Sequence, residues 1–172
     1  MKKTSPRLRP GIDRRTVLKG AAAVAAVGTA VTGFPAYLKA AGKPIKIGMP
    51  TILSGRVAIL GESSVAAASN EVRKINEAGG IEGRMLELVT RDSRAKPDEA
   101  ARMTRDLVNN EGCEIIIDAE ASGASFAVNE VVRDMKQYCI HTNSETSSLT
   151  ADPKNQVPWV FRSCRQGIHD AV

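Results

Sequence analysis

The stretch at residues 113–125, Cys-Glu-Ile-Ile-Ile-Asp-Ala-Glu-Ala-Ser-Gly-Ala-Ser, constrains the fold more than any other part of the chain. Three consecutive isoleucines form the kind of β-branched run that suits a strand buried on both faces. A turn of small residues follows, and then Val128, Val131, Val132 and Met135 recur at helical spacing, which predicts a helix with one apolar face. In such a strand–turn–helix unit Ser122 falls at the expected N-cap. The amides of Gly123, Ala124 and Ser125 are then expected to stand free at the positive end of the helix, a seat for a carboxylate or phosphate. Serine is equally an ordinary capping residue, so both readings of Ser122 stand at this point.

The rest of the chain from Lys43 onward repeats the pattern. Ile45, Ile47 and Met49 alternate in a first strand over 44–50, and a loop with Ser54-Gly55 and Gly61 as turn residues is expected over 51–61. Val65, Ala68, Val72 and Ile75 predict a first helix that ends at Gly79-Gly80. Residues 85–92 alternate as a second strand. Pro97, with Asp98 and Glu99 behind it, opens a second helix whose inner face is Ala100, Met103 and Leu107. Beyond the 113–135 unit, residues 138–141 and 159–162 read as further strands. Alternating β and α with short connections implies an α/β fold, a doubly wound parallel sheet covered by helices on both faces. Ligands of such sheets bind at the carboxyl ends of strands where the strand order reverses, so the loops 54–61, 119–125 and 142–148 form the candidate site.

Charge divides the chain at about residue 41. Residues 1–41 carry eight Lys or Arg and one acidic residue, Asp13, for a net charge of +7, whereas 42–172 carry 16 basic and 18 acidic residues, a net charge of −2. The high overall basicity therefore belongs to the amino terminus and gives no footprint for nucleic-acid binding. Residues 1–41 read as an export signal, with basic residues preceding an uncharged Ala- and Val-rich run from 21 to 38. Asp13-Arg14-Arg15-Thr16-Val17-Leu18-Lys19 resembles the twin-arginine signature, which implies a twin-arginine translocase as partner during export and a periplasmic location. Removal near Ala40-Ala41 and retention as a membrane tether both stay open.

Four segments carry a family resemblance: I-K-I-G-M at 45–49, L-S-G-R-V-A-I-L-G at 53–61, I-N-E-A-G-G-I-E-G-R-M-L-E-L-V-T-R-D at 75–92 and S-L-T at 148–150. With these segments the chain resembles the type I periplasmic solute-binding proteins of ABC transporters, in particular the leucine/isoleucine/valine-binding group. The resemblance implies a two-lobed clamshell that captures a small solute, such as a branched-chain or other amino acid or a related organic acid or amide, and delivers it to an ABC permease. It also implies that residues 42–172 are the amino-terminal lobe, truncated before the second. Carried over by position, it assigns the ligand carboxylate to Ser122 and Gly123 and places Leu60 where an aromatic contact is common. Asn143 falls where a small residue's carbonyl receives the ligand ammonium, and Glu145, with Thr146 beside it, where a threonine binds both ends of the amino acid. A disulfide found in some relatives joins positions that here hold Ala95 and Ala121. A ligand-sensing receptor domain of the same fold, regulating a signalling partner, is the alternative that the resemblance leaves open.

Catalytic readings are weaker. A Gly-x-Ser-x-Gly elbow around Ser122 would need glycine where Glu120 and Ala124 stand, and no Gly-rich phosphate loop occurs, so neither an enzyme nor a cofactor is expected. The two histidines, His141 and His169, lie too far apart for a helical metal motif, and His141 at a strand end is expected to be a satisfied polar group. Cys113, Cys139 and Cys164 make an odd count for an oxidising compartment. Cys139 is expected as a small buried hydrophobe, and a pairing of Cys113 or Cys164 is not decided by spacing. Asp92, Ser93, Arg94 and Glu120 are expected as solvated loop groups.

Overall fold

The computed structural model describes residues 42–167. The export segment at 1–41, its cleavage region and His169 lie outside the described residues. Five parallel strands form one sheet: β1 (Ile45–Thr51), β2 (Leu86–Asp92), β3 (Ile115–Asp118), β4 (Tyr138–His141) and β5 (Val160–Arg162), in the spatial order β2-β1-β3-β4-β5. The helices are α1 (Ala58–Glu77), α2 (Pro97–Asn109), α3 (Ser122–Met135) and the single turn α4 (Ser148–Ala151). The chain runs outward from β1 to β2 and then restarts on the other side of β1 with β3. This is the doubly wound arrangement expected from the sequence, with its switch point between β1 and β3.

One face of the sheet is packed much more deeply than the other. Against α2 and α3, the buried residues Ile116, Cys139, Leu107, Val128 and Val132 form a single apolar cluster. Gly48 lets this layer close, since a methyl group there would stand 2.8 Å from Ile116 Cδ1. Pro97 occupies the first turn of α2, with Asp98 and Glu99 at its positive end as the sequence predicts. Thr104 takes part of the face assigned to Met103: it is fully buried and donates its hydroxyl to Ala100 O at 2.8 Å, while Met103 is half-buried.

On the opposite face α1 rests more lightly. Val65, Ala68 and Val72 are half-buried, and the one buried residue of α1 is Gly61. The helix begins at Ala58, a full turn earlier than its periodicity predicts, so the expected loop of 51–61 shrinks to 52–57. Gly61 is not a turn residue. It lies in the first turn of α1 pressed against β1's exit, where a Cβ would stand 1.9 Å from the Ile52 carbonyl oxygen. Its missing side chain serves helix-to-backbone contact, a use that glycine spacing alone does not distinguish from a turn.

Candidate functional site

At the switch point the carboxyl ends of β1, β3 and β4 surround a cleft of about 550 Å³. One wall is the start of α1, with Leu60, Ser63 and Ser64; the floor runs from Ala119 to Ser122; the far wall comprises Thr142, Asn143, Glu145, Cys164 and Arg165. Hydrogen bonds between the strand ends hold the floor. Thr51 Oγ1 donates to Ala119 O at 2.9 Å, and Thr142 donates to Asp118 O through its amide at 2.9 Å and its hydroxyl at 3.0 Å. Asn143 Nδ2 reaches across to Ser64 Oγ at 3.0 Å, tying the β4 loop to α1.

The geometry of the α3 start differs from the sequence expectation. The N-cap is Ala121, in extended conformation and without a capping side chain, and Ser122 is the first helical residue. Ala124 and Ser125 both donate their amides to Ala121 O at 3.0 Å, so they are not open groups. The amides that precede them, those of Ser122 and Gly123, remain at the positive end of the helix. Ser122 lines the cleft; Gly123 is exposed one step further along, where an added Cβ would meet nothing within 4 Å. With Ala121 as cap, the Ser122 hydroxyl is left unused by the helix.

Of the other predicted residues, Leu60 stands half-exposed at the cleft wall, and Asn143 and Glu145 face it from the opposite side. Glu145 is engaged with the following strand's loop: its carboxylate lies 3.1 Å from Arg165 Nε and its carbonyl accepts from Gly167 N–H at 2.8 Å. Thr146 does not join the group. Its hydroxyl pairs with Ser148 Oγ at 2.9 Å and its carbonyl accepts from Arg162 Nη2 at 2.5 Å, which turns it into the α4 approach. Ser63, Ser64, Cys164 and Arg165 line the cleft in addition to the predicted site residues. The two serines of α1 were hidden by the late helix start assigned from Gly61, and Cys164 and Arg165 by their position beyond the last strand.

Beneath the floor lies a buried polar layer. Asp118 and His141, adjacent in the β3–β4 register and both fully buried, pair at 2.5 Å through Oδ2 and Nδ1. His141 is therefore a satisfied interior group at Nδ1, as its strand-end position predicts. Glu120 and Ser93 correct the sequence reading: neither is solvated, and both have no exposed surface. Burial pushes the Glu120 carboxyl up to about 7; the Ser93 hydroxyl opposes that shift, and the carboxylates of Asp118 and Asp92 add to it. Neither Glu120 oxygen reaches hydrogen-bond geometry with a partner among the described residues. Asp92 behaves oppositely. Partial burial works against its charge, but the Leu53 and Arg94 amides and the Ser54 hydroxyl outweigh it and hold the group below the usual carboxylate range. The three cysteines are free thiols, and burial raises each of them above the ordinary range, Cys113 to about 11.

A sequence profile described as "Periplasmic binding protein" matches residues 44–166, which spans the whole sheet and both walls and the floor of the cleft. The chain belongs to the type I periplasmic binding proteins. A second profile, the TAT (twin-arginine translocation) pathway signal sequence, matches residues 11–31, so this periplasmic binding protein is exported to the periplasm. Among curated relatives, the Leucine-, isoleucine-, valine-, threonine-, and alanine-binding protein of Pseudomonas aeruginosa is 28% identical over 122 residues, covering 71% of this chain and 32% of the relative. The solved structure of the branched-chain amino acid transporter substrate binding protein LivJ from Streptococcus pneumoniae, in complex with isoleucine, superposes with a TM-score of 0.65 at 28% identity, covering 72% of this chain and 34% of that one. A solute binding protein of an ABC transporter from Rhodopseudomonas palustris, in complex with 3,4-dihydroxy benzoic acid, shares the fold with a TM-score of 0.60 at 22% identity, covering 72% of this chain and 32% of that one. The chain thus spans about a third of the length of the proteins it matches.

Proposed function

We propose that this periplasmic binding protein captures a small carboxylate-bearing solute, a branched-chain amino acid or a related amino acid or organic acid, and hands it without turnover to an ABC permease. The observation that carries the reading is the start of α3. The Ser122 and Gly123 amides and the Ser122 hydroxyl stand at the positive end of a 14-residue helix, with Ser122 on the floor of the switch-point cleft. Leu60 supplies an aliphatic wall for the ligand's side chain. Asn143 and Glu145 present an amide and a carboxylate to the ligand amine, with Arg165 balancing the Glu145 charge when the ligand is a simple acid. Thr146 is left out of this set because its side chain is committed to Ser148. The names of the Pseudomonas and Streptococcus relatives favour the amino-acid end of this range.

Titration calorimetry of the full-length protein with L-isoleucine and with 3,4-dihydroxybenzoate tests the reading. One of the two binds, is recovered chemically unchanged, and is held roughly tenfold or more weakly by Ser122→Ala, the loss expected for one hydrogen bond to a charged group. Conversion of the ligand, or an unchanged Kd in Ser122→Ala, overturns it.

A further inference from the structure

The Glu120 carboxyl is used neither by the fold nor by the carboxylate seat, and its placement joins it to both. It precedes the α3 N-cap by one residue, belongs to the floor of the cleft, has no exposed surface, and leaves both oxygens without a hydrogen-bond partner among the described residues. Acidic and polar groups surround it. From the β2 exit come Asp92 and the Ser93 hydroxyl, and from β3 comes Asp118, which is tied to His141 of β4. On α3, Ser125 is buried with its hydroxyl unpartnered among the described residues, and the loops after β4 and β5 bring Glu145 and Arg165 to the same cleft.

We propose that Glu120 makes ligand capture proton-linked: an anionic ligand settles on the first turn of α3 together with one proton, taken up from water by the Glu120 carboxyl. The inference rests on the carboxylate seat proposed above. An ionised Glu120 beneath the cleft floor and a ligand carboxylate on the first turn of α3 are like charges with low-dielectric material between them, and each disfavours the other. Neutral Glu120 removes that repulsion and offers an O–H donor to the floor. The coupling is reciprocal, so the ligand raises the proton affinity of Glu120 by the factor that the proton raises ligand affinity. Burial already holds this carboxyl near 7, inside the range where the periplasm can titrate it.

Calorimetry at pH 6, 7 and 8 on the full-length protein, with L-isoleucine and 3,4-dihydroxybenzoate as probes and two buffers of different ionisation heat at pH 7, reads both sides of the linkage. The wild type is expected to lose about tenfold in affinity from pH 6 to pH 8 and to take up a fraction of a proton at pH 7. Glu120→Gln, isosteric with the neutral acid, is expected to bind with a pH-independent Kd and no uptake. A flat wild-type profile, or the same slope in Glu120→Gln, overturns the inference while leaving the seat intact. Absence of binding by either probe at every pH overturns the seat, and the inference with it.

Discussion

Along the α2/α3 side of the sheet, two rungs of side chains lie two residues apart and carry opposite chemistry. The lower rung is Ile116, Cys139 and Val160, aligned by the β3–β4 and β4–β5 register and packed into the apolar cluster. The upper rung is Asp118, His141 and Arg162 in the same alignment, an acid, an imidazole and a guanidinium where the apolar pattern would continue. Strand pairing places both rungs equally well, so pairing does not explain the change. What differs is distance from the cleft. The lower rung removes apolar surface from water and holds the helices to the sheet; the upper rung holds the strand exits in place, with Asp118 taking the His141 ring by its side chain and the Thr142 loop by its carbonyl. Two residues along a strand therefore separate side chains that hold the helices to the sheet from side chains that hold the strand exits beneath the cleft.

The sharpest way to break this contrast is His141→Ala, which leaves the Asp118 carboxyl buried without its partner. Removing one member of a buried pair costs about 4 kcal/mol, so urea denaturation is expected to show the largest loss of any single change in the two rungs. A loss under about 1 kcal/mol would mean that the upper rung is indifferent to its own pairing. Ile116→Ala, in the lower rung, is expected to cost about 3 kcal/mol through lost burial and the cavity left behind. Its ligand affinity should stay within about twofold of the wild type, whereas an affinity loss as large as that of Ser122→Ala would erase the division between the rungs.

The smallest effect is a gain, and it depends on pH. Glu120 has a folded-state pKa raised from 4.5 to about 7, so the folded protein holds this proton more tightly than the unfolded chain does. Stability from this group is complete below pH 4.5 and is lost as the pH rises through 7. Glu120→Gln escapes that loss. It should match the wild type below pH 4.5 and exceed it by up to about 3 kcal/mol well above pH 7, measured as the difference between the two unfolding free energies in urea across the range. A difference that stays constant with pH would return Glu120 to the class of ordinary surface carboxylates.

Much of this architecture was legible in the residues. The isoleucine run, the 3.6-residue apolar spacing of 128–135 and Pro97 at its helix start are local signals, and each element lies within a residue or two of its predicted place. The cleft was legible to the extent that loop order determines it, which is why the Leu60, Ser122, Asn143 and Glu145 positions come together there. What the sequence concealed depends on long-range packing. Glu120 and Ser93 look like loop polar residues until the β2 and β3 exits close over them, and Ser122 looks like a cap until the extended Ala121 takes that position. The late start given to α1 has the same origin, since nothing local separates a glycine that bends the chain from one that lets a helix touch a carbonyl.

That contact at Gly61 has a practical side. The helix backbone there rests directly on the Ile52 carbonyl, and the neighbouring Leu60 projects into the cleft from beside that contact. For anyone wishing to retune what the cleft accepts, residue 60 is an adjustable fitting beside a close-packed mount. Exchanging it alters the reach and chemistry of one wall, while residue 61 has to remain glycine for the wall to stand where it does.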